Sequence, residues 1–369
     1  MASPGNQPNM DEPVPVVDLI IVSYGHARFM DALFASLAKL QYPRDKWRLH
    51  VVINKDGDGT LEAVRKLEQK YSSALPKMMV HEPHANKGFA GGNNMAMIWS
   101  MRNAGQYVYL LNPDTEIMPD ALDEVVKVAQ AHPEAGSIQS LLVRGQNPNL
   151  VNSWGNELHF LGFGYCGGDN VSIDKAPHEV KEITYASGAG VLIPTKTLEK
   201  IGLLDETLHS YHEDLDFGWR VLLSGQKNLL APKSIVRHHY EFSRSIKKWE
   251  FMERNRIAVV LKNYSLPSVI VLLPAIFATD MAIWAFSVKG GWLKEKFRAS
   301  CWFLKPSTWR YIINGRRQIR AIRRVPDWMM LKKFTYKIEY QELKAGLAEK
   351  IANPFWHALY VSYGVIIRW

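Results

Sequence analysis

The chain has 369 residues, 47% hydrophobic and 22% charged, which is enough apolar content for a full core and, by length, for about two domains. Its two cysteines, Cys166 and Cys301, exclude a cysteine-based metal cluster and a disulfide framework, and point to a reducing compartment. The formal charge of +9 is uneven: residues 290–337 hold thirteen Lys and Arg against Glu295 and Asp327, so the rest of the chain sums to −2 and the basic, Trp-rich tail calls for an anionic partner, lipid headgroups or nucleic acid.

Residues 1–15, MASPGNQPNMDEPVP, carry four prolines and no hydrophobic period, so they read as a disordered arm. They lack the basic and apolar regions of a secretory signal, and the protein is expected on the cytosolic side. Val16 to Val22 is a near-continuous apolar run, which suits a strand buried on both faces, and it ends at Ser23-Tyr24-Gly25. Phe29, Leu33, Leu37 and Leu40 then recur at helical spacing. Leu49 to Ile53 is a second strand, followed by the turn-rich 54–59. A helix is expected over Thr60 to Tyr71 and a short strand over Met78 to His81. The Asn86–Asn94 segment reads as a glycine-rich loop opening a helix, and a strand follows at Tyr107 to Leu111. Alternating strands and helices imply βαβ units in a doubly wound, mostly parallel sheet, an α/β class whose ligands sit beyond the carboxyl ends of the strands.

From about Leu261 the texture changes. Leu266 to Val288 is apolar apart from Thr279, Asp280 and two serines, and is interrupted by Pro267 and Pro274. It is long enough to span a bilayer, yet Asp280 near its middle favours re-entrant or interfacial placement, and both remain open. Trp292, Trp302, Trp309, Tyr311 and Trp328 alternate with many Lys and Arg, a mixture suited to helices lying among headgroups. A soluble helical domain with a basic solvated face, or an RNA-binding surface, would share this composition. No nucleic-acid motif accompanies it, so an anionic membrane is the expected partner and nucleic acid is not. The domains expected are the arm at 1–15, a catalytic region at 16–262 and a basic, aromatic helical membrane-associating region at 263–369.

Four clusters carry candidate chemistry. In Leu110-Leu111-Asn112-Pro113-Asp114-Thr115-Glu116 a strand meets a proline that forces a turn, and Asp114 is presented past the sheet edge as a ligand for a divalent cation or as ordinary turn chemistry. In the segment from His212 to Arg220, a stripe of Leu215, Trp219, Leu222 and Leu223 predicts a helix stopped at Gly225. Glu213, Asp214 and Asp216 crowd its first turn, either as capping acids or with one as a general base. His238-His239 end a strand-like Ser234 to Arg237, with one ring free to face the site while the other packs. Arg244 lies just beyond and suits a phosphate. The amides of 86–94 suit a diphosphate and the asparagines suit hydroxyls.

Taken in order, Ile20-Ile21-Val22-Ser23-Tyr24, Asn86 to Asn94, Leu110 to Thr115, Ala186 to Gly190, Glu213 to Arg220 and His238-His239 resemble the inverting glycosyltransferase family 2 with its GT-A fold, nearest its rhamnosyltransferase-like bacterial and archaeal subgroup. The resemblance covers residues 16–262. It implies a nucleoside-diphosphate sugar donor, Mn2+ or Mg2+ held by Asp114 and His238, and Asp214 as general base beside Glu213. It also implies a donor pocket of Ser23, Tyr24, Asn54, Asp56, Asn86, Gly88, Asn93, Asn112 and Arg244, and an acceptor side of Ser187, Gly188, Ala189 and Trp219. One departure stands out: the family's second strand ends Val-Asp-Asn, whereas this chain reads Val52-Ile53-Asn54, so the base contact passes to Asn54, Asp56 or Asp58, or the nucleotide preference differs. The subgroup implies rhamnose as the sugar and a polyprenyl-linked or other glycan acceptor at the cytoplasmic face of the membrane. The rival readings are a nucleotidyltransferase, against which Asn112 in the place of a second acid argues, and an inactive membrane adaptor retaining the fold.

Overall fold

The computed structural model describes residues 13–54, 59–239, 248–337 and 346–369. Most of the expected arm, Asp56, Asp58 and Arg244 lie outside the described residues. In chain order the strands are β1 (Val17–Ser23), β2 (Trp47–Ile53), β3 (Met78–His81), β4 (Tyr107–Leu111), β5 (Thr115–Ile117), β6 (Ala135–Arg144), β7 (Val151–Ser153), β8 (Asn156–Leu158), β9 (Gly164–Cys166), β10 (Lys181–Ile183), β11 (Gly190–Pro194) and β12 (Lys227–His238). The helices are α1 (Met30–Leu37), α2 (Thr60–Lys70), α3 (Gly88–Arg102), α4 (Ala121–Ala131), α5 (Thr195–Ile201), α6 (Glu213–Leu223), α7 (Lys248–Asn263), α8 (Leu266–Lys289), α9 (Leu293–Trp302), α10 (Pro306–Ile322), α11 (Asp327–Leu331) and α12 (Gly346–Ile366).

Two compact units emerge. The first comprises Met1–Asn156, Cys166–His209 and Gln226–Glu241. Its sheet runs β10-β12-β6-β11-β4-β1-β2-β3, with β5 added on β12 and β7 on β6. The parallel arrangement expected from sequence holds through β4-β1-β2-β3 and returns between β6 and β12, while β11 lies antiparallel to both β4 and β6. β1 is buried along its whole length, as a central strand covered on both faces must be. Its one charge, Asp18, is satisfied by Arg48 at 2.6 Å, His50 at 2.9 Å and Ser100 at 2.5 Å.

α3 corrects the expected loop. The run Gly88 to Asn94 is helical, and its glycines serve close packing: a Cβ on Gly92 would fall 2.7 Å from Val22 Cγ1 of β1. Asn94 donates its amide to Leu204 O and Glu206, and Asn93 donates to Phe89 O, so both asparagines are buried and used within the fold.

The second unit comprises Glu157–Tyr165, Ser210–Gly225 and Phe242–Trp369. It therefore groups α6, which the sequence reading assigned to the catalytic region, with the C-terminal helices. α7 packs against α6, α8, α9 and α10. Trp219 is fully buried edge-on against Tyr264 at 4.8 Å and Phe334 at 5.0 Å, the aromatic centre of this unit. α8 begins at the Ser265 cap with a proline in its first turn, and among the described residues it alone is long and apolar enough to cross a membrane by length and composition.

Candidate active site

In the sheet unit, β1, β2 and β4 are neighbouring parallel strands, so their carboxyl ends deliver Ser23, Asn54 and Asn112 to one edge. Ser23 is buried, and its hydroxyl has no partner among the described residues. Tyr24 beside it is exposed, and its backbone N–H donates to His26 Nδ1 at 3.2 Å. Asn54 proves to be a brace. Its Nδ2 donates to Gly88 O at 2.7 Å and its Oδ1 accepts from Lys87 N–H at 3.2 Å, so its amide is engaged at both ends.

At the start of α3, two of the amides expected of a diphosphate cradle are engaged within the fold. The Gly88 N–H donates to Asn86 Oδ1 at 2.8 Å, and Ala90 N–H to His209 O at 3.2 Å. These two groups are satisfied internally and are not directed at a ligand. Gly88 instead has a left-handed backbone, φ +67°, and a Cβ there would lie 2.4 Å from His209 O.

Asp114 and His238, distant in sequence, are brought together by a three-residue ladder. β5 runs antiparallel to β12 with Thr115 opposite His238, and the His239 N–H donates to Asp114 O at 2.8 Å. His238 Nε2 then lies 3.4 Å from Asp114 Oδ1. On the far side of the ring, His238 Nδ1 donates to Asn152 Oδ1 at 2.8 Å, which turns the basic Nε2 toward the carboxylate. Burial opposes ionisation of Asp114, but the neighbouring His238 and His26 imidazoles outweigh it, and its carboxyl falls below the ordinary value. His239 points the other way, onto Glu116 at 2.6 Å, as alternation along a strand demands.

One carboxylate and one imidazole with an anchored N–H form a donor set suited to manganese. Among the described residues no group of three His, Cys, Asp or Glu side chains assembles around an ion, so these two carry the fit. Asn112 flanks them half-buried, its carbonyl held by the Thr115 hydroxyl at 2.7 Å.

Ser187 to Ala189 precede β11. The Ser187 N–H donates to Gln139 Oε1 at 2.8 Å, the Ala189 N–H donates to Ser187 Oγ at 3.3 Å, and a Cβ on Gly188 would meet Phe89 at 2.7 Å. Gly188 therefore forms a tightly packed floor beneath Phe89.

In the helical unit, α6 starts from two successive left-handed residues, Tyr211 with φ +68° and His212 with φ +69°. Such turns cost on the order of 1 kcal/mol or more per residue and need outside support. Asn255 of α7 supplies it by donating to Ser210 O at 3.1 Å and Tyr211 O at 2.7 Å. The His212 ring bonds Gly162 O at 3.1 Å.

Asp214 is half-buried, with Oδ1 accepting from its neighbour Leu215 N–H at 2.7 Å. Glu213 is buried. Burial first, then the charges of Asp214 and Asp216, push its carboxyl well above the ordinary range. Asp216 is held ionised by Lys262 at 2.8 Å and Arg220 at 2.9 Å, with Asn263 at 3.0 Å. Of the three acids, Asp214 alone is not fully buried. Trp219 is corrected: enclosed by Tyr264 and Phe334, it has no surface to offer an acceptor.

Sequence reasoning missed His26, Asn152 and Asn255, all of which act on a candidate residue through a partner remote in the chain. No local pattern marks them.

Comparisons with known proteins agree with this architecture. A family model described as Glycosyltransferase like family 2 matches residues 14–260. The low-salt glycan biosynthesis hexosyltransferase Agl10 of Haloferax volcanii is 26% identical over 136 residues, 37% of this chain, and the match spans only 43% of that relative's length. The N-acetylglucosaminyl-diphospho-decaprenol L-rhamnosyltransferase of Mycobacterium tuberculosis is 24% identical over 246 residues, covering 61% of this chain and 76% of the relative. Among solved structures, the mannosyltransferase PcManGT of Pyrobaculum calidifontis with GDP-Man and Mn2+ superposes with a TM-score of 0.51 at 16% identity, covering 87% of this chain and 89% of that one. GalNAc-T7 with UDP, GalNAc and Mn2+ gives 0.53 at 16% identity, covering 69% and 49%. These structural likenesses bear on the fold alone, and the fold is GT-A.

Proposed function

Because the chain belongs to the glycosyltransferase-like family 2, we propose that it moves a sugar from a nucleoside diphosphate to a hydroxyl of a lipid-linked glycan, with inversion at the anomeric carbon. The observation that carries this reading is the Asp114–His238 pair beside the carboxyl edge of the parallel strands. Residues 16–262 hold the reacting groups. Asp114 and His238 hold Mn2+ or Mg2+, which supplies charge neutralisation for the departing diphosphate. Ser23 and Tyr24 line the nucleotide pocket with Asn112. Ser187, Gly188 and Ala189 floor the acceptor side.

The chemistry is one in-line displacement. The acceptor oxygen forms a bond to the anomeric carbon on the face opposite the diphosphate. The carbon–oxygen bond to the diphosphate breaks, and its electron pair leaves with the phosphate oxygen. The hydroxyl proton passes to the Asp214 carboxylate, with Glu213 as its protonated neighbour. Positioning and electrostatics account for most of the acceleration. The relatives named as a hexosyltransferase and an N-acetylglucosaminyl-diphospho-decaprenol L-rhamnosyltransferase support a hexose-class sugar, with rhamnose first, and a polyprenyl-linked acceptor.

The test is a thermal-shift panel of UDP, dTDP, GDP and CDP with and without Mn2+, followed by sugar transfer with wild type and Asp214→Asn. A metal-dependent rise with one nucleotide, and Asp214→Asn that keeps this rise but loses transfer, is expected. No response to any nucleotide would overturn the reading in favour of a non-catalytic adaptor.

A further inference from the structure

The outward stripe of α8 has no polar complement. Up to Val288 its exposed positions, among them Leu266, Ile270, Leu273, Phe277, Met281 and Ala285, recur every three or four residues and include no charge; the exposed Lys289 closes the helix at its C-terminal end. Ile270 is 57% exposed and Phe277 65%. The inward stripe, Ser268, Val269, Leu272, Ala275, Thr279 and Ser287, is buried in the same unit. A helix apolar all round is a buried helix or one in lipid, and this one is buried on one side only. The open stripe extends about 33 Å.

Three attachments fix the inward side. At the N-terminal end, Asp327 accepts from Ser265 N–H at 2.8 Å and Ser268 Oγ at 2.6 Å while pairing with Arg323, and Trp369 Nε1 donates to Ser268. At the middle, Asp280 bonds Lys296 of α9, which also meets Glu253 of α7 at 3.1 Å, itself paired with Arg256. At the C-terminal end, Phe286 packs on Trp292, which stacks on Trp249 of α7 at 5.0 Å.

A helix crossing the bilayer would carry Lys296, Glu253 and Asp327 toward hydrocarbon or tear away from them. A helix lying flat keeps all three attachments and sinks only its open stripe.

The surroundings name the occupant. Of the thirteen Lys and Arg in residues 290–337, ten are exposed: Lys296 is buried, and Arg316 and Arg323 are partly so. The two acids of that stretch, Glu295 and Asp327, are both buried, so its exposed charge is wholly positive. Apolar side chains stand among these cations: Phe297 beside Arg298, Leu304 beside Lys305, Trp309 beside Arg310. Anionic headgroups above an acyl layer complement that mixture.

We propose that α8 is a monotopic helix, lying in the plane of one anionic leaflet with Ile270, Leu273, Phe277 and Met281 immersed and the cations of 289–337 on the headgroups. The choice of a lipid partner rests in part on the lipid-linked acceptor reading, which it deepens by assigning the docking face.

Two measurements on the full chain test it, and neither uses a sugar donor, so failure here and failure of the transfer reading are separable. In a Cys166→Ser/Cys301→Ser background, Leu266→Cys and Lys289→Cys are each placed singly, and sealed inverted membrane vesicles are treated with an impermeant maleimide. Modification of both ends from the same side is expected, and modification of one end only after detergent would show a spanning helix and overturn the proposal. Flotation then compares phosphatidylcholine vesicles with phosphatidylcholine–phosphatidylglycerol vesicles. Binding to the anionic vesicles, reduced about tenfold in Phe277→Asp at unchanged melting temperature, is expected. Equal flotation of wild type and variant would overturn the assigned face. Absence of flotation with a self-association that Phe277→Asp abolishes would assign the stripe to a second copy of the chain instead.

Discussion

The Asn152 side chain fixes the orientation of the His238 imidazole: its Oδ1 receives the Nδ1 proton at 2.8 Å, and Nε2 therefore faces Asp114. A ring held this way presents its basic nitrogen without a search over tautomers.

Asn152→Leu removes the acceptor and leaves the proposed ligands in place. The Mn2+ concentration giving half-maximal transfer is expected to rise about tenfold to a hundredfold, with activity restored by excess metal. A manganese titration by thermal shift, read without substrate, should move in parallel. An unchanged titration would remove Asn152 from the site.

Glu213 and Asp214 separate by charge state. Below the ordinary carboxylate range Glu213 is protonated in both folded and unfolded chains and pH has no leverage through it. Above that range the unfolded chain ionises while the folded one retains the proton, so stability falls as pH rises until the raised folded value is passed. Glu213→Gln should therefore stabilise the protein at neutral pH, with the gain disappearing toward pH ~4. Its transfer rate should fall far less than that of Asp214→Asn, for which a loss of about a hundredfold to ten-thousandfold is expected. Denaturant midpoints across pH and single-turnover rates provide the check.

His159 gives the opposite pH signature. Burial pushes its imidazole down to about 3, and it donates from Nε2 to Tyr336 O at 3.1 Å while accepting from Leu161 N–H. The unfolded ring protonates near pH ~6.5, so the stability this group provides is complete above that pH and is lost as pH falls toward the folded value. The slope is about 1.4 kcal/mol per pH unit. His159→Gln should lower stability at pH 7 yet remove one proton from the acid slope, so the two proteins converge on acidification. Urea midpoints at neutral and mildly acidic pH measure this.

Gly88→Ala tests steric against ligand roles at the start of α3. The alanine must adopt φ +67° and place its Cβ against the His209 carbonyl, which is backbone and cannot move aside. A loss of roughly 2 kcal/mol or more is expected. The nucleotide-induced thermal shift of the remaining folded protein should be unchanged, since Gly88 offers no group to the ligand.

The strands of the first half were legible because each is short, apolar and bounded by turn residues; Met78–His81 and Tyr107–Leu111 fall where the sequence puts them. α6 and its stop at Gly225, φ +82°, were legible for the same local reason. What escaped depends on partners far along the chain. The resemblance offers Asn54 as a nucleotide contact at a strand end, but its amide closes on Lys87 and Gly88. The sequence puts Trp219 on the apolar stripe of α6 and the family resemblance puts it on the acceptor side, yet Tyr264 and Phe334 close over it. The glycines of 88–92 read as a loop because composition does not distinguish backbone that must bend from backbone that must be approached closely. Only the 2.7 Å clearance against Val22 does so.

The position of β12 carries a consequence for biogenesis. This last strand of the sheet unit inserts between β10 and β6, and it alone provides the edge on which β5 lies. During N-to-C synthesis, residues up to about 225 have left the ribosome while the flank of β6 is still open and Asp114 lacks His238. Until His238 emerges, the nascent chain presents an unpaired, hydrophobic strand edge of the kind that recruits other chains. Assembly of the Asp114–His238 pair and closure of that edge are thus one event, so a chain truncated before β12 is expected to be a client of holdase chaperones rather than a weakened enzyme.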